Sequence, residues 1–159
     1  MRYLKLSKRL RALADFIDAD AAVADIGADH GYLAIYLAQN CKVARIIASD
    51  ISAASLSAAR RFADEFKVTQ SITFMVTQGL DGITEADADT IVIAGMGGET
   101  ILQILVNAPW TKNKAIKLIL QPQSKIDLLC RFLYNNGYEI KETKSVVDKG
   151  KSYTIIVVM

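Results

Sequence analysis

Val23-Ala-Asp-Ile-Gly27-Ala-Asp-His-Gly31-Tyr32 is the stretch whose reading decides the fold. The apolar run from Ala21 to Ile26 has the length of a short buried strand. Gly27 breaks it, and from Gly31 onward Leu33, Ile35, Tyr36 and Leu37 set up a helical pattern. Strand, glycine turn and helix start together form a corner suited to anions and ribose. The helix start offers free backbone N–H groups and the positive end of its dipole, and glycine lets a ligand approach the chain closely. The spacing is not the dinucleotide fingerprint, because Asp29 stands where its second glycine belongs. Asp25, Gly27 and Gly31 instead give an acidic-x-Gly-x-x-x-Gly turn, which wraps no pyrophosphate and tolerates a cationic ligand.

Outward from that corner, strand and helix patterns alternate. Leu6, Leu10, Leu13, Ala14 and Ile17 predict an amphipathic helix over 4–17 with a basic outer face. A helix over 31–40 follows the first strand, and Val43 to Ser49 is a second strand ending at Asp50. Ser52 caps a helix over 53–67. Ile72 to Thr77, Thr90 to Ala94 and Ile116 to Leu120 are further strands, separated by a turn at Asp81-Gly82 and a helix over 98–107. Pro122 is expected to stop the fifth strand. A helix over 125–135 closes at Asn136-Gly137. Tyr138 to Val146 and Ser152 to Val158 are then joined through Asp148-Lys149-Gly150 as a hairpin. Five alternating units demand a doubly wound, mostly parallel α/β sheet, and the terminal hairpin adds antiparallel strands at one side. Seven strands ending in a hairpin describe the Rossmann-like class I methyltransferase fold better than a dehydrogenase.

At 159 residues the chain reads as a single domain with a real core, carrying its basic helix at the N-terminal end. No apolar run has membrane-span length, and Met1-Arg2-Tyr3-Leu4-Lys5 lacks the core of a signal peptide, so a cytoplasmic protein is expected. Cys41 and Cys130 have no metal-ligand spacing and read as reduced core residues; no metal is expected. The absence of an obvious apolar face points to a monomer. Net charge is only +2, yet Arg2, Lys5, Lys8, Arg9 and Arg11 crowd the first eleven residues, whereas 68–111 holds no Lys or Arg. Such asymmetry marks either a face turned to a polyanion or ordinary solvated helices.

Ligands of doubly wound sheets sit at the carboxyl ends of the strands, so residues just past each strand are the candidates. Gly27, Asp29 and His30 follow the first. Asp50, ending the second, stands 23 residues beyond Gly27, where an acid accepts from both ribose hydroxyls of an adenosine; Ile51 adjoins it. Helix capping is the alternative role for Asp50. Gln78, Gly79 and Leu80 follow the third strand, where a polar group meets the adenine amino group and Leu80 covers the ring. Ala94, Gly95, Met96, Gly97 and Gly98 follow the fourth, and small residues there let a substrate base reach a methyl donor or simply let strand and helix pack tightly. Gln121 and Gln123 add amides on the same rim. His30 is the only histidine. Trp110, after Pro109, reads as a loop anchor.

With these residues in hand, the chain resembles the bacterial tRNA adenine-N1 methyltransferases that modify position 22. The resemblance rests on Leu6-Ser-Lys-Arg-Leu10, Val23-Ala-Asp-Ile-Gly27 with Asp29-His30, Ile93-Ala-Gly-Met-Gly-Gly98, Gln121-Pro122, Asn136-Gly-Tyr138 and Lys151-x-Tyr153. It implies S-adenosyl-L-methionine (SAM) as methyl donor and tRNA as substrate. On that footing Asp25, Gly27, Asp29, Asp50, Ile51, Gln78, Gly79, Leu80, Ala94 and Gly95 are the cofactor positions. Asp29, His30, Gly95 and Met96 are the catalytic ones. Arg2, Lys5, Lys8 and Arg9 supply phosphate contacts. The family usually has Gly-Asp-Gly where this chain reads Thr77-Gln78-Gly79, and it continues into a helical C-terminal domain beyond the point matching Met159. The other readings of the residues are a SAM- or RNA-binding module without turnover and a small-molecule methyltransferase.

Overall fold

Seven strands form one sheet in the order β3-β2-β1-β4-β5-β7-β6. They are β1 (Ala22–Ile26), β2 (Arg45–Asp50), β3 (Thr73–Val76), β4 (Thr90–Met96), β5 (Lys117–Pro122), β6 (Ile140–Asp148) and β7 (Lys151–Val158). The first five are parallel; β7 runs antiparallel to β5, and β6 to β7. This computed structural model describes every residue except Met1 and Cys41, so the expectation for Cys41 lies outside the described residues. Cys130 is a half-buried free thiol.

Five helices cover the two faces: α1 (Lys8–Asp15), α2 (Tyr32–Asn40), α3 (Ala53–Glu65), α4 (Gly98–Val106) and α5 (Ile126–Asn135). Side chains alternate across each strand, so Val23, Val92, Ile119 and Val157 pack with α1, α2 and α3. Ile91, Ile93, Leu118, Leu120 and Ile156 pack with Ile101 and Leu105 of α4 and Leu129 and Leu133 of α5. A parallel sheet covered on both sides explains why its inner strands read as continuous apolar runs.

The first helix is shorter than its periodicity predicts. The Ser7 hydroxyl accepts from Leu10 N at 3.3 Å and caps α1 there. Leu4 and Leu6 precede the cap and still pack against the core; Leu4 N donates to Gln39 Oε1 at 2.7 Å. Pro122 stops β5 as expected, although the strand runs two residues past Leu120 to reach it. The pairing of β4 with β5 shifts register between Ala94 and Met96, and β7 pairs β5 only over Leu118–Leu120. Pro122 therefore ends the strand where a missing N–H costs nothing. The final hairpin turns through Lys149 and Gly150, both at positive φ (51° and 79°), in a two-residue loop that matches strand twist. Trp110 lies in a 3₁₀ turn (Pro109–Lys112) and anchors that loop to the α4–α5 core.

Candidate active site

The chain steps outward from β1 to β2 and β3, then returns to β4 on the other side of β1. Strand order reverses at that point, and a cleft of about 1030 Å³ opens there at the carboxyl ends of the strands.

One half of the cleft is the turn after β1. Gly27, Asp29 and Gly31 have φ of 72°, 51° and 78°, so the backbone curls back on itself. A Cβ at Gly27 would meet only the movable end of Met96, so the positive φ is what selects glycine at that position. Asp50 closes the turn: its carboxylate accepts from Asp29 N at 3.0 Å and from Ser52 N at 2.9 Å, one bond on each oxygen. A carboxylate oxygen accepts more than one hydrogen bond, so both keep capacity for a ligand while their direction is fixed. Helix capping falls to Ser52, whose hydroxyl accepts from Ser55 N. Next along the rim, Thr77 N donates to Asp50 O at 3.0 Å and Thr77 Oγ1 to Asp81 O at 2.8 Å, which holds Gln78 and Gly79 at the mouth. Leu80 lines the cleft with its body sunk in the core.

The other half gathers residues from distant parts of the chain. Gly95 bulges out of β4 at φ 75°. Its N–H donates to Gln121 Oε1 at 3.1 Å, and the same oxygen accepts from Arg9 Nη1 at 3.0 Å. Gln121 Nε2 donates to Pro122 O, so this amide, 0% exposed, is held by hydrogen bonds at both its oxygen and its nitrogen. Arg9 is held in turn: its N–H donates to Asp148 Oδ2 at 3.1 Å, and its guanidinium lies 5.5 Å from the centre of the Tyr153 ring. Nearby Asp25 is buried in β1, and burial pushes its carboxyl up to about 7, against the pull of Arg9 and with the push of Asp50.

Charge in the cleft is lopsided. Asp25, Asp29, Asp50, Asp81 and Glu99 line it, and Arg9 is the one Lys or Arg among the described residues that does so. His30 and Asp29 stand exposed at the rim, with His30 Nε2 3.6 Å from Asp29 Oδ2. A pocket of this size, with many acids and a single guanidinium, suits a ligand of net positive charge that carries one anionic group.

Comparison with known proteins agrees. The methyltransferase domain family matches residues 6–156. The tRNA (adenine(22)-N(1))-methyltransferase of Bacillus subtilis is 35% identical over 99% of this chain and 66% of its own length. TrmK of M. capricolum, solved with S-adenosyl-homocysteine, superposes with a TM-score of 0.84 at 31% identity, over 96% of this chain and 68% of that one. The chain belongs to this methyltransferase family. A Streptococcus pneumoniae member solved with SAM superposes at a TM-score of 0.89 with 32% identity, over 97% of this chain and 72% of that one. The chain thus spans just under two thirds of the length of the curated Bacillus relative.

In this methyltransferase domain the structure brings Asp25, Gly27, Asp29, His30, Asp50, Ile51, Gln78, Gly79, Leu80, Ala94, Gly95 and Met96 to one cleft. It separates the four basic residues. Arg9 lines the cleft and is half-buried. Arg2 lies over the Phe66 ring at 4.6 Å and pairs loosely with Glu65, and Lys5 and Lys8 are exposed. Gln121 is not a rim amide but a buried clamp, while Gln123 does line the cleft. The wall formed by Glu99, Gln103 and Asn107 was missed, although their i, i+4, i+8 spacing on a predicted helix was a readable signal.

Proposed function

We propose that this chain transfers the methyl group of SAM to N1 of an adenine in tRNA, in the cytoplasm. The observation that carries the reading is the cleft itself: a glycine turn at positive φ, a prealigned Asp50 and a lone Arg9 among acids. These residues fit SAM. Asp50 has free acceptor capacity for two ribose hydroxyls, Arg9 suits the single carboxylate, and the surrounding acids suit the ammonium and the sulfonium. Position 22 is the site named for the Bacillus subtilis relative, and the same position is proposed here.

When bound, the donor supplies an electrophilic methyl group. The protein's task is then geometric. Neutral adenine N1 carries its own lone pair, so no residue has to remove a proton. The site must receive an extruded base, aim N1 at the methyl carbon and accept a cationic product. The backbone of Gly95, free of a side chain, lines the cleft where the base would enter, and Gln121 fixes its path, whereas Gly97 and Gly98 let β4 and α4 pack against Ser124 and Lys125. Asp29 and His30, exposed at the rim, orient the adenine and offset the charge it gains. Lys5 and Lys8 contact phosphates.

The test is transfer of labelled methyl from SAM to unmodified tRNA transcripts, with the product nucleoside identified by mass spectrometry. N1-methyladenosine that disappears when the target adenine is replaced is the expected result. Donor binding without transfer would make the chain a binding module, and no donor binding would overturn the reading altogether.

A further inference from the structure

Beside the main cleft, and sharing His30 and Tyr32 with it, a second cavity of about 260 Å³ opens between the start of α2 and the outer side of α3. Ala58, Arg61, Phe62 and Glu65 complete its wall at i, i+3, i+4 and i+7, one face of a helix. Methyl transfer as derived above makes no use of it. Tyr32 remains 40% exposed here although it is braced: Phe62 meets it edge-on at 5.4 Å, and Phe66 meets Phe62 edge-on at 5.0 Å. The His30 ring lies 5.4 Å from Tyr32 on the cleft side, and the Arg2 guanidinium covers Phe66 at the far end. A row of rings capped at its far end by a guanidinium therefore leads away from the mouth of the active site. Arg61 has no ion-pair partner among the described residues. Glu65 has only a loose one, 3.8 Å from Arg2 with both side chains more than half exposed.

We infer that this cavity is a second base-binding site, which takes the base of a nucleotide adjoining the methylated adenine in single-stranded RNA. The inference rests on the tRNA reading above. Extruding the target adenine strips its neighbour of a stacking partner, and a braced ring beside the cleft mouth replaces it. Tyr32 is the platform. Arg61 meets the phosphate that joins the two nucleotides. Glu65 accepts from an exocyclic amino group, which favours adenine, cytosine or guanine over uracil at the neighbouring position.

The experiment compares intact tRNA transcripts with transcripts made abasic at either nucleotide flanking the methylated adenine, using the wild-type chain, Tyr32→Ala and Arg61→Glu. Donor affinity is measured in parallel, and Tyr134→Ala, on the exposed side of α5, serves as control. One abasic transcript should raise the wild-type KM for RNA about tenfold at unchanged kcat. Tyr32→Ala should raise KM for the intact transcript by a similar factor and then be indifferent to the missing base. Arg61→Glu should raise KM for both transcripts and leave the donor Kd unchanged. Equal KM values for intact and both abasic transcripts in the wild type, or losses that multiply in Tyr32→Ala, would overturn the site while leaving methyl transfer intact. If the wild type transfers no methyl group, the parent reading fails by itself. The cavity is then judged by ultraviolet crosslinking of the transcript: a crosslink on Tyr32 or Phe62 supports it, and RNA bound without one overturns it.

Discussion

The two halves of the active-site cleft are built by different means. The half at the ends of β1, β2 and β3 is local: Gly27, Asp29 and Asp50 lie on consecutive strand–helix turns, joined by the Asp50 carboxylate accepting from Asp29 N and by Ala28 N donating to Ser49 O. The half at the ends of β4 and β5 is assembled from Arg9, Gly95, Gln121 and Asp148, which meet only when the whole sheet has closed. The first half needs correct turns; the second needs correct long-range packing. Rigid local geometry suits a cofactor that is the same at every turnover.

That contrast can be broken at its strongest point first. Gly27→Ala places a Cβ at positive φ and against Met96, so donor affinity should fall by roughly 100-fold or more, as read by calorimetric titration. A fall of less than tenfold would mean that the turn is not tightly packed around its ligand. Asp50→Ala removes both fixed acceptors and should weaken donor binding by about 10- to 100-fold, with Asp50→Asn in between. In the other half, Arg9→Ala should cost about tenfold in donor affinity and leave the salt dependence of tRNA binding alone. Changing Lys5 and Lys8 together should reduce that salt slope by roughly one to two. If Arg9→Ala moves the salt slope instead, the guanidinium serves RNA after all.

The smallest effect is in pH. Burial raises the Asp25 carboxyl from an ordinary value of 3.8 to about 7, so the folded state holds a proton that the unfolded chain gives up at lower pH. Stability should therefore decline as pH rises through that window and level off above about 7, and Asp25→Asn should remove the decline in urea unfolding curves. A cationic donor in the cleft favours the ionised form. Its affinity should rise with pH up to about 7, by no more than about tenfold per pH unit, and that rise should vanish in Asp25→Asn.

The same contrast explains what could be read from the sequence. The β1 turn and Asp50 were legible because their function follows from spacing along the chain, and strand–helix alternation yields the sheet directly. The helix ends were less so: Leu4 and Leu6 keep a helical period but lie before the Ser7 cap, since apolar spacing does not distinguish a helix face from an extended segment on the same core. Pro122 was a sound stop signal, and only the two residues between Leu120 and Pro122 were left out of β5, because Gln121 and Pro122 pair with β4 across a bulge that spacing does not show. Arg9 was placed on the surface because a basic helix face looks uniform in sequence. Only the third dimension shows that one of its cations turns inward to Gln121 and the hairpin.

The docking of Arg9 against Asp148 and Tyr153 has a consequence during synthesis. The first helix leaves the ribosome early, but Asp148, which accepts from Arg9 N–H, emerges 139 residues later, followed by Tyr153, whose ring lies against the guanidinium. Until the hairpin is made, α1 lacks its final seat, the buried Asp25 lacks its nearby cation, and the cleft is only half walled. The nascent chain thus carries the finished β1 turn and its Asp50 brace well before β6 and β7 seat Arg9 in the opposite wall.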